Sequence, residues 1–537
     1  MSARWVGIIL LLMGGQAAGQ GLSESHFKFV TARNVYTAVA ASFGGSMPKP
    51  PLVMVPTQSK KRVIARYVGG VVEIDETVYD LCRGFGADSL AALACVLGHE
   101  LAHYYLRHTS SESFSQLLIK PLAEVSTDRQ KETAMIESQA DYHGAFQGFL
   151  AGYPTYRVIA ALYEKIYQAY HLPEKVPGYP SRQDRIAIAG EKATAIARMA
   201  PLVETARFLV VKGDYTSAAR CYKYLLTQFP SQQMYNNLGV CYLQQAATHF
   251  VDEQAAFAYP FELDPVNRLL NIHTRGDRVD ATAREALLSH AQENFQQAIH
   301  LDNTYASAHI NLATVQSLQN VPSASIGTID LLQRYTEGEL PANAYLVRGI
   351  AYVRNEQLDA AGLDFEKARQ GSAFQSDYNY ALFQQLKRSW WEGLEEWIQD
   401  YFSSAPQPSK ARPLPPATAF GNHRPVSPAA FKPVVTLPFP DPVSVHHYQE
   451  LGFSYVKIET ASQQLELVAS GSMVSADRWK GKTVREWLKK YRPADVTFVF
   501  SQGYEMHLYR QNRIILESKD NIITGWMIWQ SAPLNSK

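Results

Sequence analysis

His99 and His103 lie four residues apart, with Glu100 directly after the first, in the run Gly98-His99-Glu100-Leu101-Ala102-His103. On a helix that spacing puts both imidazoles on one face, one turn apart, where they can hold the same metal ion. Glu100 then stands where it can take a proton from a water that a zinc ion activates. A motif this short also arises by chance, and its histidines are then ordinary surface or core residues. Its weight here comes from context: an apolar helical pattern over residues 90–108 that follows a β-rich segment.

A catalytic zinc needs a third protein ligand and an open fourth position. Two carboxylate pairs qualify by spacing. Glu137 and Asp141, in Glu137-Ser138-Gln139-Ala140-Asp141, fall on a second helical pattern at 129–150. One of them can ligate while the other, Asp141, accepts a hydrogen bond from a liganding histidine and fixes its tautomer. Glu124 and Asp128 share the spacing but sit in a more polar stretch that reads as a loop. The first pair is therefore preferred. His108 and His143 read as solvated or supporting groups rather than ligands.

The elements that must position these residues follow from periodicity and punctuation. Residues 24–45 read as a helix ending at Gly44-Gly45, and prolines break the chain at 47–51. Runs at 52–55, 62–68 and 71–74 read as strands, with Gly69-Gly70 between the last two. Asp88 or Ser89 can cap the motif helix. Further helices are expected at 112–124 and 154–170, and another from about Asp184, after a proline-punctuated stretch at 176–183.

The motif His99 to His103, taken with Glu137 to Asp141, Gly144 and Ala151-Gly152-Tyr153, resembles the zinc endopeptidase family that includes CAAX prenyl proteases and bacterial HtpX-type proteases. In layout the chain is most similar to the soluble periplasmic branch, in which a protease domain precedes tetratricopeptide repeats and handles outer-membrane proteins. The resemblance implies a gluzincin-type site: one Zn²⁺ per chain, held by His99, His103 and Glu137, with Glu100 as general base and Asp141 behind a ligand. It also implies that an edge strand, here 71–74, pairs with an extended substrate. Two departures stand out. The interval from His103 to Glu137 is short for the family. Where relatives carry a His-Pro pair before an Arg-Ile helix start, this chain reads Tyr179-Pro180-Ser181-Arg182-Gln183-Asp184-Arg185-Ile186. Tyr179 and Arg185 are thus candidate oxyanion stabilisers by position, an ordinary turn tyrosine being the alternative for the first.

From about residue 201 the pattern changes to paired helices. Ala206, Gly213, Tyr215, Ala218, Tyr222 and Pro230 lead to Asn237-Leu238-Gly239 and Tyr242. Ala291, Phe295 and Ala298 lead to Asn311-Leu312-Ala313, and Gly349, Tyr352, Leu358, Ala361, Phe365 and Ala368 repeat the offsets. Small and large residues alternate as stacked hairpins require, and the pattern resembles the tetratricopeptide repeat. Residues 245–285, with Pro260 and Pro265, interrupt it as an insertion or a degenerate repeat. A proline-rich linker is expected at 403–445, and beyond it a compact α+β domain, 446–537, with strands at 454–458, 465–470, 496–501, 505–510, 513–518 and 524–530 and a helix at 483–491.

Composition bounds the rest. Hydrophobic residues are 46% and charged residues 19%, with a net charge of +1, which leaves no basic excess for a nucleic-acid surface. Arg4, the apolar run 6–13 and Ala17-Ala18-Gly19 read as a signal peptide over 1–20, followed by no cysteine for a lipid anchor; an uncleaved anchor is the alternative. No other run is long and apolar enough to span a bilayer. Four cysteines make no disulfide framework, although Cys221 and Cys241 sit on neighbouring repeat helices and could bridge in an oxidising compartment.

The expectation is a multidomain chain: a mainly α zinc-metalloprotease domain with a small β-sheet (21–200), an α-helical tetratricopeptide solenoid (201–402), the linker, and a small α+β domain. Its expected activity is metalloendopeptidase cleavage of protein or peptide substrates, including misfolded or misassembled envelope proteins, in the periplasm or outside the cell. The repeats would contact envelope protein complexes. The rival is a non-catalytic repeat scaffold or chaperone with a relict or structural zinc site.

Overall fold

The structure, a computed structural model, describes residues 21–43, 47–57, 64–108, 127–175, 181–250, 257–263, 267–269, 281–336, 338, 340–373, 375–389, 413–416, 433–437, 443–450, 453–459, 463–470, 479–500 and 504–533. The expected leader, the expected helix at 112–124, Glu124 and Tyr179 lie outside them, as does most of the expected linker. The chain is mostly helical, with sheets, and divides into two compact units, one of Met1–Phe43 with Pro48–Ile196, the other of Gly44–Met47 with Ala197–Lys537.

The first unit is arranged around one buried helix. Its elements are α1 (Phe27–Ser42), β1 (Leu52–Val55), β2 (Ala65–Val68), β3 (Val71–Asp75), α2 (Glu76–Arg83), α3 (Ser89–Tyr105), α4 (Thr127–Leu150), α5 (Ile159–Ala169) and the start of α6 (Arg182–Lys212). A helix apolar on all sides belongs inside, and α3 is buried at every residue from Ala91 to His103. Against it, α1 lays a one-sided stripe of Phe29, Ala32, Val35, Tyr36 and Val39. Gly69 and Gly70 take positive φ values of 56° and 81°, which a two-residue hairpin needs, and fold β2 back onto β3. On its other side β3 pairs in parallel with β1, so the sheet order is β1-β3-β2. Segment 71–74, expected as an edge strand, is therefore the central one. Its neighbours on both sides, Leu52 and Tyr67 opposite Val72, leave it no open side, and the edges are β1 and β2.

The second unit opens with helix hairpins: α7 (Tyr215–Gln228), α8 (Gln232–Ala247), α9 (Ala281–Leu301), α10 (Ala306–Leu318), α11 (Pro322–Tyr335), α12 (Ala342–Arg354), α13 (Leu358–Gln370) and α14 (Ser376–Ser389). The small residues of the repeat pattern face large ones: a Cβ on Gly239 would meet the Phe295 ring at 2.6 Å, and one on Gly349 would meet the Phe365 ring at 3.4 Å. All four cysteines are buried free thiols, and burial pushes Cys221 up to about 12. The bridge between Cys221 and Cys241 is not formed.

A buried ion pair also ties this array together. Arg348 gives Nε to Asp364 Oδ2 at 2.6 Å and Nη1 to Asp330 Oδ1 at 2.7 Å. Arg348→Ala would strand the buried Asp364 carboxylate, a loss of roughly 3 kcal/mol. A lowered urea midpoint with an unchanged slope is the expected result.

The remaining strands are β4 (Phe261–Leu263), β5 (Asn267–Leu269), β6 (Pro433–Leu437), β7 (Val443–Glu450), β8 (Phe453–Glu459), β9 (Gln463–Ser470), β10 (Val496–Phe500), β11 (Tyr504–Tyr509), β12 (Ile514–Lys519) and β13 (Ile522–Pro533), with α15 (Val484–Lys490) before β10. They form one sheet in the order β4-β5-β10-β11-β12-β13-β9-β8-β7-β6. It is larger than the expected small domain at both ends. Part of the expected linker, Pro433–Leu437, is its edge strand, where a proline's missing N–H costs nothing. At the far end β5, from the repeat insertion, completes the open side of β10. The core beneath is aromatic, with Trp487 donating to the Tyr509 hydroxyl at 2.8 Å and Trp479 edge-on to Trp487. Thr483 and Glu486 form a reciprocal capping box at the start of α15.

Candidate metal centre

Helix α3 carries His99, Glu100 and His103; α4 carries Glu137 and Asp141. The two helices can cross closely because each has a glycine at the contact. A Cβ on Gly98 would lie 2.5 Å from the Gly144 carbonyl oxygen, and one on Gly144 would lie 2.5 Å from both Gly98 C and His99 N. Backbone therefore rests on backbone at the residue before the first histidine. This approach brings side chains from separate helices to one point.

That point is compact and buried. His99, His103 and Glu137 each offer a ligand atom, all within 4.8 Å of one another. His99 Nε2 and His103 Nε2 are 3.1 Å apart, Glu137 Oε2 is 3.5 Å from the first, and Oε1 is 3.5 Å from the second. Four ligands held tetrahedrally at about 2.0–2.1 Å from zinc stand roughly 3.3–3.4 Å apart. The spacing and the two-nitrogen, one-carboxylate donor set both fit that ion. Among the described residues no fourth histidine, cysteine or carboxylate joins the group.

A second layer orients these groups. His99 Nδ1 donates to Asp141 Oδ1 at 2.7 Å, which leaves Nε2 facing the cluster. The same Asp141 oxygen accepts a short hydrogen bond from the Tyr163 hydroxyl and one from Arg185 Nη2 at 3.0 Å. Arg185 Nη2 also lies 3.5 Å from Glu137 Oε2, and its guanidinium stands over the Tyr163 ring at 4.8 Å. His103 has its Nδ1 3.1 Å from His108 Nδ1.

The electrostatics follow from burying two carboxylates, two imidazoles and a guanidinium together. Burial opposes charge on Asp141, but Arg185 and the His99 hydrogen bond outweigh it and hold the carboxyl below its usual range. Glu137 is lowered in the same way: burial raises it, and His99, His103 and Arg185 more than reverse this. The two imidazoles split. Burial lowers His99, yet its bonds to Asp141 and Glu137 raise it to about 10. His103, desolvated and facing that charge, falls to about 3.

Glu100 differs from the other carboxylates. It is buried, and burial, reinforced by the Glu137 charge against the opposing pull of His99, lifts it to about 7. The Tyr67 backbone N–H of β2 donates to its carboxyl, while Oε2 has no hydrogen-bond partner among the described residues. A carboxyl balanced near neutrality can both take and return a proton.

The sequence candidates distribute as follows. His99, Glu100, His103, Glu137 and Asp141 converge. Arg185 joins them, but as the partner of Asp141 and Glu137. His143 is displaced from its ordinary range, burial pushing it down to about 4. Of the competing pair, Glu124 and the side chain of Asp128 lie outside the described residues, as does Tyr179. Sequence reasoning missed Tyr163 and the Tyr67 N–H, which no local motif marks, while His108, expected as a solvated or supporting group, stands beside His103.

No protein-family model matches the chain. No curated protein matches it. Among solved structures it is similar to the crystal structure of a tetratricopeptide repeat protein from Parabacteroides merdae, at 15% identity and a TM-score of 0.21, over 48% of this chain and 98% of that one.

Proposed function

We propose that the first unit is a zinc-dependent endopeptidase acting on extended segments of protein substrates. The observation that carries this reading is the buried His99, His103 and Glu137 cluster with Glu100, raised to about 7, beside it. A closed structural zinc site uses four protein ligands, whereas three ligands and an adjacent base suit hydrolysis. Zinc in that position would polarise a carbonyl and supply a nucleophilic water near neutral pH.

The chain's own residues supply the rest. His99 Nε2, His103 Nε2 and the Glu137 carboxylate would be the ligands, and Asp141 fixes the His99 tautomer. Arg185 neutralises the carboxylate pair behind them, and Tyr163 holds Asp141 in place. Glu100 takes the proton of the attacking water and delivers it to the leaving amine. Edge strand β2, whose Tyr67 N–H meets Glu100, is the strand on which an extended substrate would add. Arg4, the apolar run 6–13 and Ala17-Ala18-Gly19 support placing the enzyme outside the cytoplasm, with envelope proteins among its substrates. No described helix is long and apolar enough to cross a membrane.

The test is cleavage of an unfolded model protein by the purified chain. Cleavage is expected to stop on chelation and to return with Zn²⁺. Cleavage that survives complete metal removal would overturn the reading. Inertness of a fully zinc-loaded chain would favour the non-catalytic scaffold.

A further inference from the structure

Within the second unit, residues 257–263, whose last three form β4, lie against α8, α10, α12, α13 and α14. Phe257 stacks on Phe365 of α13 with ring centroids 6.0 Å apart. Ala258 meets α14, the Tyr259 hydroxyl meets Ser317 of α10 at 2.8 Å and Arg354 of α12 at 3.1 Å, and Glu262 meets α8, α10 and α12. Every residue of the segment is buried. Pro260 fixes its own φ and keeps the preceding residue extended, so the run favours this shape before any contact forms.

The contacts repeat one chemical device. Asn379 Oδ1 accepts from Ala258 N–H at 2.8 Å, and its Nδ2 donates to Ala258 C=O at 2.8 Å. Asn311 does the same at Glu262, with Oδ1 at 2.8 Å from N–H and Nδ2 at 2.7 Å from C=O. A carboxamide presents one acceptor and one donor side by side, as an opposing residue does in an antiparallel ladder. These asparagines therefore read main chain regardless of side chain. Asn236 Nδ2 adds a second donor to Glu262 C=O at 2.6 Å, and Asn311 Nδ2 also holds Asn236 Oδ1 at 2.9 Å. One side chain is read as well: the Glu262 carboxylate accepts from Ser307 Oγ at 2.8 Å and Asn343 Nδ2 at 2.9 Å.

We propose that the face formed by α8, α10, α12 and α14 is a receptor for an extended peptide bearing one carboxylate, and that residues 257–263 are its built-in, displaceable occupant. The ligand class follows from the contacts: asparagine clamps at two backbone positions four residues apart, an aromatic side chain at each end of the intervening run, and a glutamate or aspartate at the second clamp. A partner protein presenting such a segment competes with a tethered copy whose effective concentration is in the millimolar range. Release of the occupant also strips β4 from β5, since Glu262 belongs to that hairpin.

The probe is a labelled synthetic copy of residues 257–263, added to the full chain and read by fluorescence anisotropy. Glu262→Ala in the chain loosens the resident segment without touching the receptor residues. It is expected to bind the copy at least about tenfold tighter than the unaltered chain does. Adding Asn311→Ala should abolish that binding, and a copy with glutamine in place of the glutamate should bind about tenfold more weakly. A folded Glu262→Ala chain that does not take up the copy would overturn the proposal. Should that variant unfold, hydrogen exchange of the unaltered chain decides. Ala258 and Glu262 amides exchanging well before those in the middle of α10 support a displaceable occupant. Exchange only together with α10 makes the segment a permanent part of the core.

Discussion

Glu100→Gln is expected to lower peptide-bond hydrolysis by about a thousandfold, within the roughly 10²–10⁴-fold that general acid–base catalysis contributes, while zinc content stays unchanged. The glutamine keeps the shape of the side chain and an oxygen to accept the Tyr67 N–H, so the fold around α3 has little reason to move. It cannot take a proton. In the native chain burial has already brought that carboxyl to about 7, where uptake and release are both accessible. The ligands His99, His103 and Glu137 are untouched, so metal and turnover should separate in this variant. Single-turnover rates beside zinc determined by atomic absorption check it. Turnover within tenfold of the native chain would remove Glu100 from the mechanism, and lost zinc would reassign it to the ligand set.

Gly144→Ala should be as damaging, though it replaces no ligand. Its Cβ would sit 2.5 Å from Gly98 C and His99 N and 2.6 Å from Gly98 O. Those are backbone atoms and cannot rotate aside, so α3 and α4 must part. Overpacking costs of about 1–3 kcal/mol are usual where side chains can shift, and this contact belongs at or beyond the upper end. Because His99 and Glu137 ride on different helices, the ligand atoms separate with them, and zinc affinity should fall alongside stability. Gly190→Ala provides the control: it lies in α6 with no atom of the described residues within 4 Å of the added Cβ, and helix propensity predicts a gain of up to about 1 kcal/mol. Urea unfolding with and without zinc measures both. A Gly144→Ala chain as stable as the native one would show that the crossing is not the close contact described.

These two variants also mark where the sequence was readable. The motif at His99 to His103 and the pair Glu137 and Asp141 are local patterns, four residues apart on helices, and helical periodicity exposes them. The strands at 52–55 and 71–74 were visible for the same reason, being short runs bounded by glycine or proline. What periodicity does not encode is which elements meet. The central place of β3 comes from β1 arriving on its second side, and no feature of Val71–Asp75 alone announces that. Tyr163 reaches Asp141 from another helix, with no spacing rule connecting them. Pro260 and Pro265 were legible as an interruption of the repeats, but the same residues gave no sign that the interruption folds into the array. Likewise the prolines of the expected linker obscured β6, because a proline at the start of an edge strand looks like one in a loop.

The pairing of β5 with β10 sets an order of events during synthesis. Asn267 opposes Phe500, roughly 230 residues later in the chain, so this is a contact of very high sequence separation. At translation rates of about 5–20 residues per second, β5 leaves the ribosome on the order of 10–50 s before its partner exists. Throughout that interval the nascent chain carries an uncovered strand edge, open to pairing with other chains. Chains stalled or cut between α14 and β10 keep that exposure permanently, so fragments of this length should aggregate more readily than the whole protein.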